Sequence, residues 1–356
     1  MKTPERISRG SYIRGQFVKA KDPNGEIISR NPADLEAKPL AFPYGFAHVD
    51  EAVSAGRGSF SSWKRRTKEE RIQTITLYRE LLEKRENDLA TTISFELGKP
   101  LWESLQEVRD TATFIEHLVE SLRGTQETVN IDFPDGTFSG VIRTFPRGVY
   151  AVLSPAYSPL FVPHTGIVPA VVLGNTVVLK SSKYAPMTGQ VIAEIMHDSG
   201  VPAGVFNVLH GDSETARRLT SHTDVNGVYF TGSFETASKI KKQVAGEYWK
   251  ELVLQTGGKN ATVVWDDCNY HQALSETFLS AYLTTGQRCH STSRILVHEK
   301  HFGKFLQDFH VLSKRCGVGY GLSGEAVFMG PLFHESSLEN YIAILGKAKS
   351  QPKDFL

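Results

Sequence analysis

A lone cysteine set in a short polar break, behind a glycine and an arginine, is where covalent chemistry could begin in this chain. Residues 284–294 read T-T-G-Q-R-C-H-S-T-S-R, and the sulfur of Cys289 is the best nucleophile candidate. A free thiol has a pKa of about 8.5 and reacts as the thiolate, so a cation-containing turn beside a helix end favours the reactive form. The structural alternative is a buried cysteine that behaves as a small hydrophobe.

Upstream lies L-Q-T-G-G-K-N, residues 254–260, and Gln255 precedes Cys289 by 34 residues. Together the two stretches resemble the aldehyde dehydrogenase superfamily. Its members carry E-L-G-G-K, with the general base, ahead of G-Q-x-C, with the nucleophile, at about this separation. The resemblance runs from Tyr12 to about Lys347 and leans toward semialdehyde dehydrogenases that oxidise amino-acid-derived substrates. It implies that Cys289 attacks a small-molecule aldehyde, hydride leaves to the nicotinamide of NAD or NADP, and water releases the acid. Cofactor contacts are then implied at Lys180, Ser182, Lys183, Gly211 (the glycine after His210), Thr231, Gly232, Ser233, Ala237 and Gly257.

Several residues depart from the family pattern. Gln255 stands where the basic glutamate is expected; an amide takes no proton at neutral pH, and a general base contributes roughly 10²- to 10⁴-fold, so hydrolysis of a thioester should be slow. Thr256 beside it is far too weak a base to help. Tyr157, in P-A-Y-S-P (155–159), stands where P-W-N-F-P offers an asparagine amide to the oxyanion. Losing such a donor costs roughly 10²- to 10³-fold, and a tyrosine there is expected to overreach and fill the pocket. The ribose-binding turn K-P-S-E becomes Lys180, Ser181, Ser182, Lys183. An ammonium accepts no hydrogen bond from ribose hydroxyls but pairs with a 2′-phosphate, so the change either favours NADP or weakens dinucleotide binding. In G-S-x-x-x-G the last glycine is Ala237, a small change where a helix start would favour a pyrophosphate. The resemblance also implies that the family's E-x-F-G-P glutamate, the rest of the catalytic sheet and half of the oligomerisation arm have no counterpart here, and the residues after Lys349 match nothing familiar.

The elements that must position these groups read as α/β. Residues 12–18 alternate around a turn glycine as a short hairpin. Apolar residues recur at helical spacing over 50–63 and 67–97, with Asp50 and Thr67 as candidate N-caps and Gly98 as a C-cap. Charge runs within them, at 64–66 and 83–86, are expected to be solvated faces. Residues 137–145 are rich in β-formers and resemble a strand of the family's oligomerisation arm. Apolar runs at 149–155, 175–180, 206–211 and 227–233 alternate with helical stretches, as in a doubly wound dinucleotide-binding (Rossmann-type) sheet. The expected organisation is a dinucleotide-binding domain over 1–254 and a partial second α/β catalytic domain over 255–356. An apolar face of Val263, Val264, Ile295, Leu296 and Val297 is expected to lie uncovered there and to favour association.

The composition is that of an ordinary globular chain: 356 residues, 40% hydrophobic, 22% charged, net charge +1. That balance supplies no argument for nucleic acid, and no apolar run suggests a membrane span. Cys268, Cys289 and Cys316 are too few for a disulfide framework, so a reducing compartment, the cytoplasm, is expected. Three readings stay open: an inactive or slow homologue kept for binding or assembly, an NAD(P)-dependent oxidoreductase completed by another chain or further sequence, and an enzyme that passes its thioester to a thiol such as coenzyme A. A homo-oligomer or association with another chain is expected.

Overall fold

The computed structural model describes residues 7–125, 127–132, 139–323 and 326–350. The chain opens with β1 (Ser11–Ile13) and β2 (Gln16–Val18), joined through Arg14 and Gly15, and continues through an antiparallel pair, β3 (Gly25–Ser29) and β4 (Leu40–Tyr44). Four helices follow: α1 (Ala47–Trp63), α2 (Lys68–Lys84), α3 (Glu86–Leu97) and α4 (Leu101–Arg123). Thr67 closes a full capping box with Glu70, and Gly98 ends α3 in the left-handed region at φ 68°.

Two helix assignments from the sequence need correction. Asp50 lies in the first turn of α1, and Phe46 is the cap. The stretch 67–97 is two helices, broken at Arg85, whose guanidinium is tied to Asp88 at 2.6 Å and to Glu194 at 2.9 Å. Neither glycine nor proline marks this break; a local ion pair to Asp88 and a long-range one to Glu194 hold the turn.

A hairpin of β5 (Thr128–Asp132) and β6 (Ser139–Arg143) stands apart from the main sheet, with Val141 and Ile142 exposed. It contains residues 139–143 of the β-rich stretch at 137–145. The doubly wound unit then begins: β7 (Val149–Leu153), α5 (Phe161–Val172), β8 (Thr176–Lys180), α6 (Pro186–Asp198), β9 (Phe206–Leu209), α7 (Ser213–Ser221), β10 (Val225–Gly232), α8 (Phe234–Gln243) and β11 (Glu251–Thr256). The sheet order is β11-β10-β7-β8-β9-β1-β2, parallel except at the β1–β2 edge. Unbroken apolar runs such as V-Y-A-V-L suit strands covered on both faces. One face packs on α1, α7 and α8, and the other on the large cluster from α2 to α6. The chain runs β7 to β8 to β9 on one side and returns to β10 on the other side of β7. That reversal opens a crevice at the strands' carboxyl ends, where such folds bind ligands.

Beyond the sheet come β12 (Asn260–Val264), α9 (Tyr270–Tyr282), β13 (Thr292–Val297), α10 (Glu299–Arg315) and α11 (Glu335–Ser350), with β12 and β13 paired in parallel. The five apolar residues do not form one uncovered face. Val264, Ile295 and Val297 pack with Leu274 of α9 and Phe305 of α10, while Val263 and Leu296 face outward at 62% and 56% exposure. Strand alternation divides them between two faces. Among the described residues, no helix is long and apolar enough to cross a membrane. The last six residues, 351–356, lie outside the described ones, as do 137 and 138.

Two buried histidines set an acid limit on this fold. Burial pushes His164 down to about 4; burial, reinforced by the Lys180 ammonium, pushes His210 down to about 3. A group whose folded pKa is depressed contributes stability that is present above its unfolded value, about 6.5, and is lost as the pH falls. Buried Glu96 has the opposite sign: desolvation lifts it to about 7 against its hydrogen-bond donors, so it favours the folded state as pH falls from 7 toward about 4.3. Two histidines against one carboxyl, with His48 and His290 shifted in the same direction as the histidines, leave the unfolded chain binding at least about one more proton between pH 6.5 and 4.5. The urea midpoint should therefore fall across that window, and a flat or rising midpoint would contradict this balance.

Candidate active site

Cys289 sits just past a turn that its own backbone resists. Thr284, Thr285 and Gly286 adopt φ of 55°, 57° and 69°, and for the two β-branched threonines this region is a genuine outlier, costing roughly 1–3 kcal/mol each. A side chain of α4 and the backbone carbonyl of Gly330 hold the turn. The Thr284 hydroxyl donates to Glu103 Oε1, Arg288 Nη2 reaches the same oxygen at 2.9 Å, and Arg288 Nε donates to Thr284 Oγ1 at 2.6 Å. The Thr285 hydroxyl donates to the Gly330 carbonyl at 2.9 Å.

One turn further along α4, Glu107 holds the segment that carries Tyr157. Its Oε1 accepts from the Ser158 hydroxyl at 2.9 Å and from the amides of Leu160 and Phe161 at 3.1 and 3.2 Å, while Lys99 Nζ sits 2.7 Å from Oε2. Burial alone would raise this carboxyl; Lys99 and the two amides outweigh it and hold Glu107 below the usual range. Residues four apart share a helix face, so one face of α4 anchors both loops.

The result is a direct contact. The Tyr157 hydroxyl donates to Cys289 Sγ at 3.2 Å, so the tyrosine does more than fill the pocket. Burial and the neighbouring sulfur push its phenol far above the usual range, which keeps it a donor. His290 Nδ1 lies 3.7 Å from the same sulfur, and burial followed by Arg288 pushes this imidazole down. The carbonyl of Cys289 accepts from Gly258 N at 3.2 Å and from Asn260 Nδ2 at 3.0 Å, which ties the Q-T-G-G-K-N stretch to the cysteine. Gln255 itself is exposed near the carboxyl end of the edge strand β11, paired in register with Thr231.

The crevice at the strand ends is a cleft of about 910 Å³, within the range of cofactor sites. Lys180, Ser182, Lys183, Gly232 and Ser233 line it together with Asp212, as do Leu153, Ser154 and Ala156, which lead straight to Tyr157. Two helix starts border it. Ser233 caps α8 by accepting from Thr236 N, and Asp212 caps α7 by accepting from Glu214 N and Thr215 N. Burial pushes Lys180 down to about 8, countered in part by Asp212. Lys183 is exposed, its ammonium 4.9 Å from the Tyr184 ring centre. His210, Thr231 and Ala237 are buried and do not line the cleft, and Gly257 is exposed. Gly211, at φ 155°, has no room for a side chain, since a Cβ would meet Thr215 at 2.1 Å. A dinucleotide suits this donor set: helix-start amides for a pyrophosphate, and an ammonium with hydroxyls for a ribose.

A sequence profile of the aldehyde dehydrogenase family matches residues 17–355. The chain belongs to the aldehyde dehydrogenase family. It is 35% identical over 320 residues to the N-succinylglutamate 5-semialdehyde dehydrogenase of Burkholderia orbicola, covering 90% of this chain and 65% of that one. The enzyme of the same name from Paraburkholderia xenovorans is 32% identical over 333 residues, 93% of this chain and 68% of its own. Among solved structures, lactaldehyde dehydrogenase from Escherichia coli superposes with a TM-score of 0.91 at 25% identity, over 97% of this chain and 72% of that one. Betaine aldehyde dehydrogenase from Staphylococcus aureus, crystallised with NAD+, gives 0.91 at 26%, over 97% and 70%. The chain thus spans about 65% of the length of the Burkholderia relative.

Glu103, Glu107 and Lys99 escaped the sequence reading. The available signal was the E-x-x-x-E spacing in α4, which looks like any solvated helix face until burial is known. Removing Glu107 leaves Lys99 buried without its partner, so Glu107→Ala should cost about 3–5 kcal/mol in urea denaturation. A loss below 1 kcal/mol would show that the pair does not anchor the Tyr157 loop.

Proposed function

We propose that this chain oxidises a small aldehyde, an amino-acid-derived semialdehyde being the best match, through a thioester on Cys289. The observation that carries this reading is the Tyr157–Cys289 contact, made by the residue next to Ala156, which lines a cleft suited to a dinucleotide. When bound there, NAD(P) would supply the hydride acceptor. Lys180 and Ser182 would hold the ribose, the start of α8 at Ser233 would receive the pyrophosphate, and the chain's own work is to position the sulfur and keep water from the aldehyde. The names of the Burkholderia and Paraburkholderia relatives support the semialdehyde class.

NADP is favoured over NAD because Lys183, Lys239 and Lys242 all line the cleft, whereas Arg217 there is already paired with Glu214. We assign the dinucleotide-binding part to residues 1–254 plus the end of β11, and the catalytic part to the remainder. The exposed β5–β6 hairpin and the outward Val263 and Leu296 support association with a second chain, and three free cysteines support a reducing, cytoplasmic setting. No feature of the composition supports a nucleic-acid or membrane partner.

Gln255 favours a second reading of the later step, in which hydrolysis is slow and the acyl group waits for a thiol such as coenzyme A, or is not released and the chain acts mainly in binding. Incubation with an aldehyde and NADP, read by intact mass, should show an acyl adduct on Cys289 that a thiol discharges. Gln255→Glu should speed its loss to water by roughly 10²-fold or more. An adduct of equal lifetime on both proteins would show that the missing base is not the bottleneck, and no adduct on either would favour the non-catalytic reading.

Lys183→Glu should shift cofactor preference toward NAD, since a carboxylate accepts from ribose hydroxyls and repels a 2′-phosphate. Titration with both dinucleotides measures this. Unchanged affinities would place Lys183 outside the adenosine end.

A further inference from the structure

We propose that the Tyr157 hydroxyl is a catalytic donor that first holds the sulfur of Cys289 and then the oxyanion formed when that sulfur adds to an aldehyde. This rests on the reading of Cys289 as the aldehyde's nucleophile. The family pattern places an asparagine amide at this position, and the tyrosine has in effect moved the donor from a side-chain amide to a phenol. The hydroxyl is already on the reacting atom, at 3.2 Å from Sγ.

The addition balances as follows in atoms and electrons. The thiol proton has left to solvent; a sulfur lone pair forms the S–C bond, the carbonyl π pair moves onto oxygen, and a thiohemiacetal oxyanion results. That oxygen is two bonds from Sγ. A donor that sits on the sulfur before attack needs only a small swing to reach the oxygen after it, and a donor aimed where charge develops is the kind that stabilises such a species. The swing has a fixed pivot, because Ser158, Leu160 and Phe161 are all tied to Glu107 while Glu103 holds the cysteine's loop. Burial keeps the phenol protonated and able to donate.

The test needs no turnover and no cofactor. Iodoacetamide alkylation of Cys289 at pH 7 is followed by intact mass and peptide mapping, which separates it from Cys268 and Cys316, with and without a simple aldehyde such as propanal. In Tyr157→Phe, alkylation should slow roughly 10-fold, and about 10-fold more aldehyde should be needed to protect the sulfur, since a hydrogen bond to a charged group has been lost. Tyr157→Asn, which restores an amide donor, should recover protection to within a few-fold. Equal alkylation and protection of Tyr157→Phe and the unaltered chain would overturn the assignment. So would a loss of protection that Tyr157→Asn fails to restore, because the effect would then be packing. Absence of aldehyde protection on the unaltered chain, at any concentration, would overturn the aldehyde reading of the site itself.

Discussion

Two glutamates one turn apart on α4 connect everything that the candidate active site needs. Glu107 takes three hydrogen bonds from the segment that follows β7 and a fourth from Lys99; Glu103 takes the Arg288 ion pair and the Thr284 hydroxyl from the loop ahead of Cys289. Both carboxylates are buried. A buried carboxylate is costly unless it is paired, and these two find their partners on the two loops and at Lys99, although Oε2 of Glu103 has no hydrogen-bond partner among the described residues. The hydroxyl of Tyr157 reaches the sulfur of Cys289 because each is held from the same rigid face.

That dependence explains how the chain keeps a strained turn. Two successive threonines in the left-handed region are unfavourable, and glycines would relieve them. Yet threonines supply hydroxyls that glycines lack, and those hydroxyls go to Glu103 and to the carbonyl of Gly330. The backbone cost is offset by bonds that fix the direction in which Cys289 leaves the turn. Precision at the sulfur is thereby placed on a loop without relying on the loop's own rigidity.

The parallel sheet contributes differently. Its order places the carboxyl ends of β7, β8 and β10 around one crevice, so Ser154, Lys180 and Ser233 converge although 79 residues of sequence separate the first from the last. The same β7 that forms one wall of the cleft runs on through Pro155 and Ala156 into Tyr157. Tyr157 is therefore a neighbour of the cleft by chain connectivity, while α4 holds the loop that brings Cys289 to it.

Local chemistry in the sequence determined a good part of this. The apolar runs at 149–155, 175–180, 206–211 and 227–233 read as covered strands, because short stretches apolar on both faces and alternating with helical ones suit a sheet buried on both sides. Thr67 and Gly98 marked helix ends because caps act within one turn. The cysteine's polar break and its spacing from Gln255 carried the family resemblance, and that resemblance held. Tertiary packing and charge pairing decided the rest. The break at Arg85 came from ion pairs to Asp88 and Glu194, the division of Val263, Val264, Ile295, Leu296 and Val297 between two faces came from what packed on them, and the roles of Glu103 and Glu107 came from burial. Whether Tyr157 fills a pocket or touches the sulfur depends on the relative placement of two loops 132 residues apart. A side chain's type states which bonds it can make; only the tertiary structure decides which partners it meets and whether water competes for them.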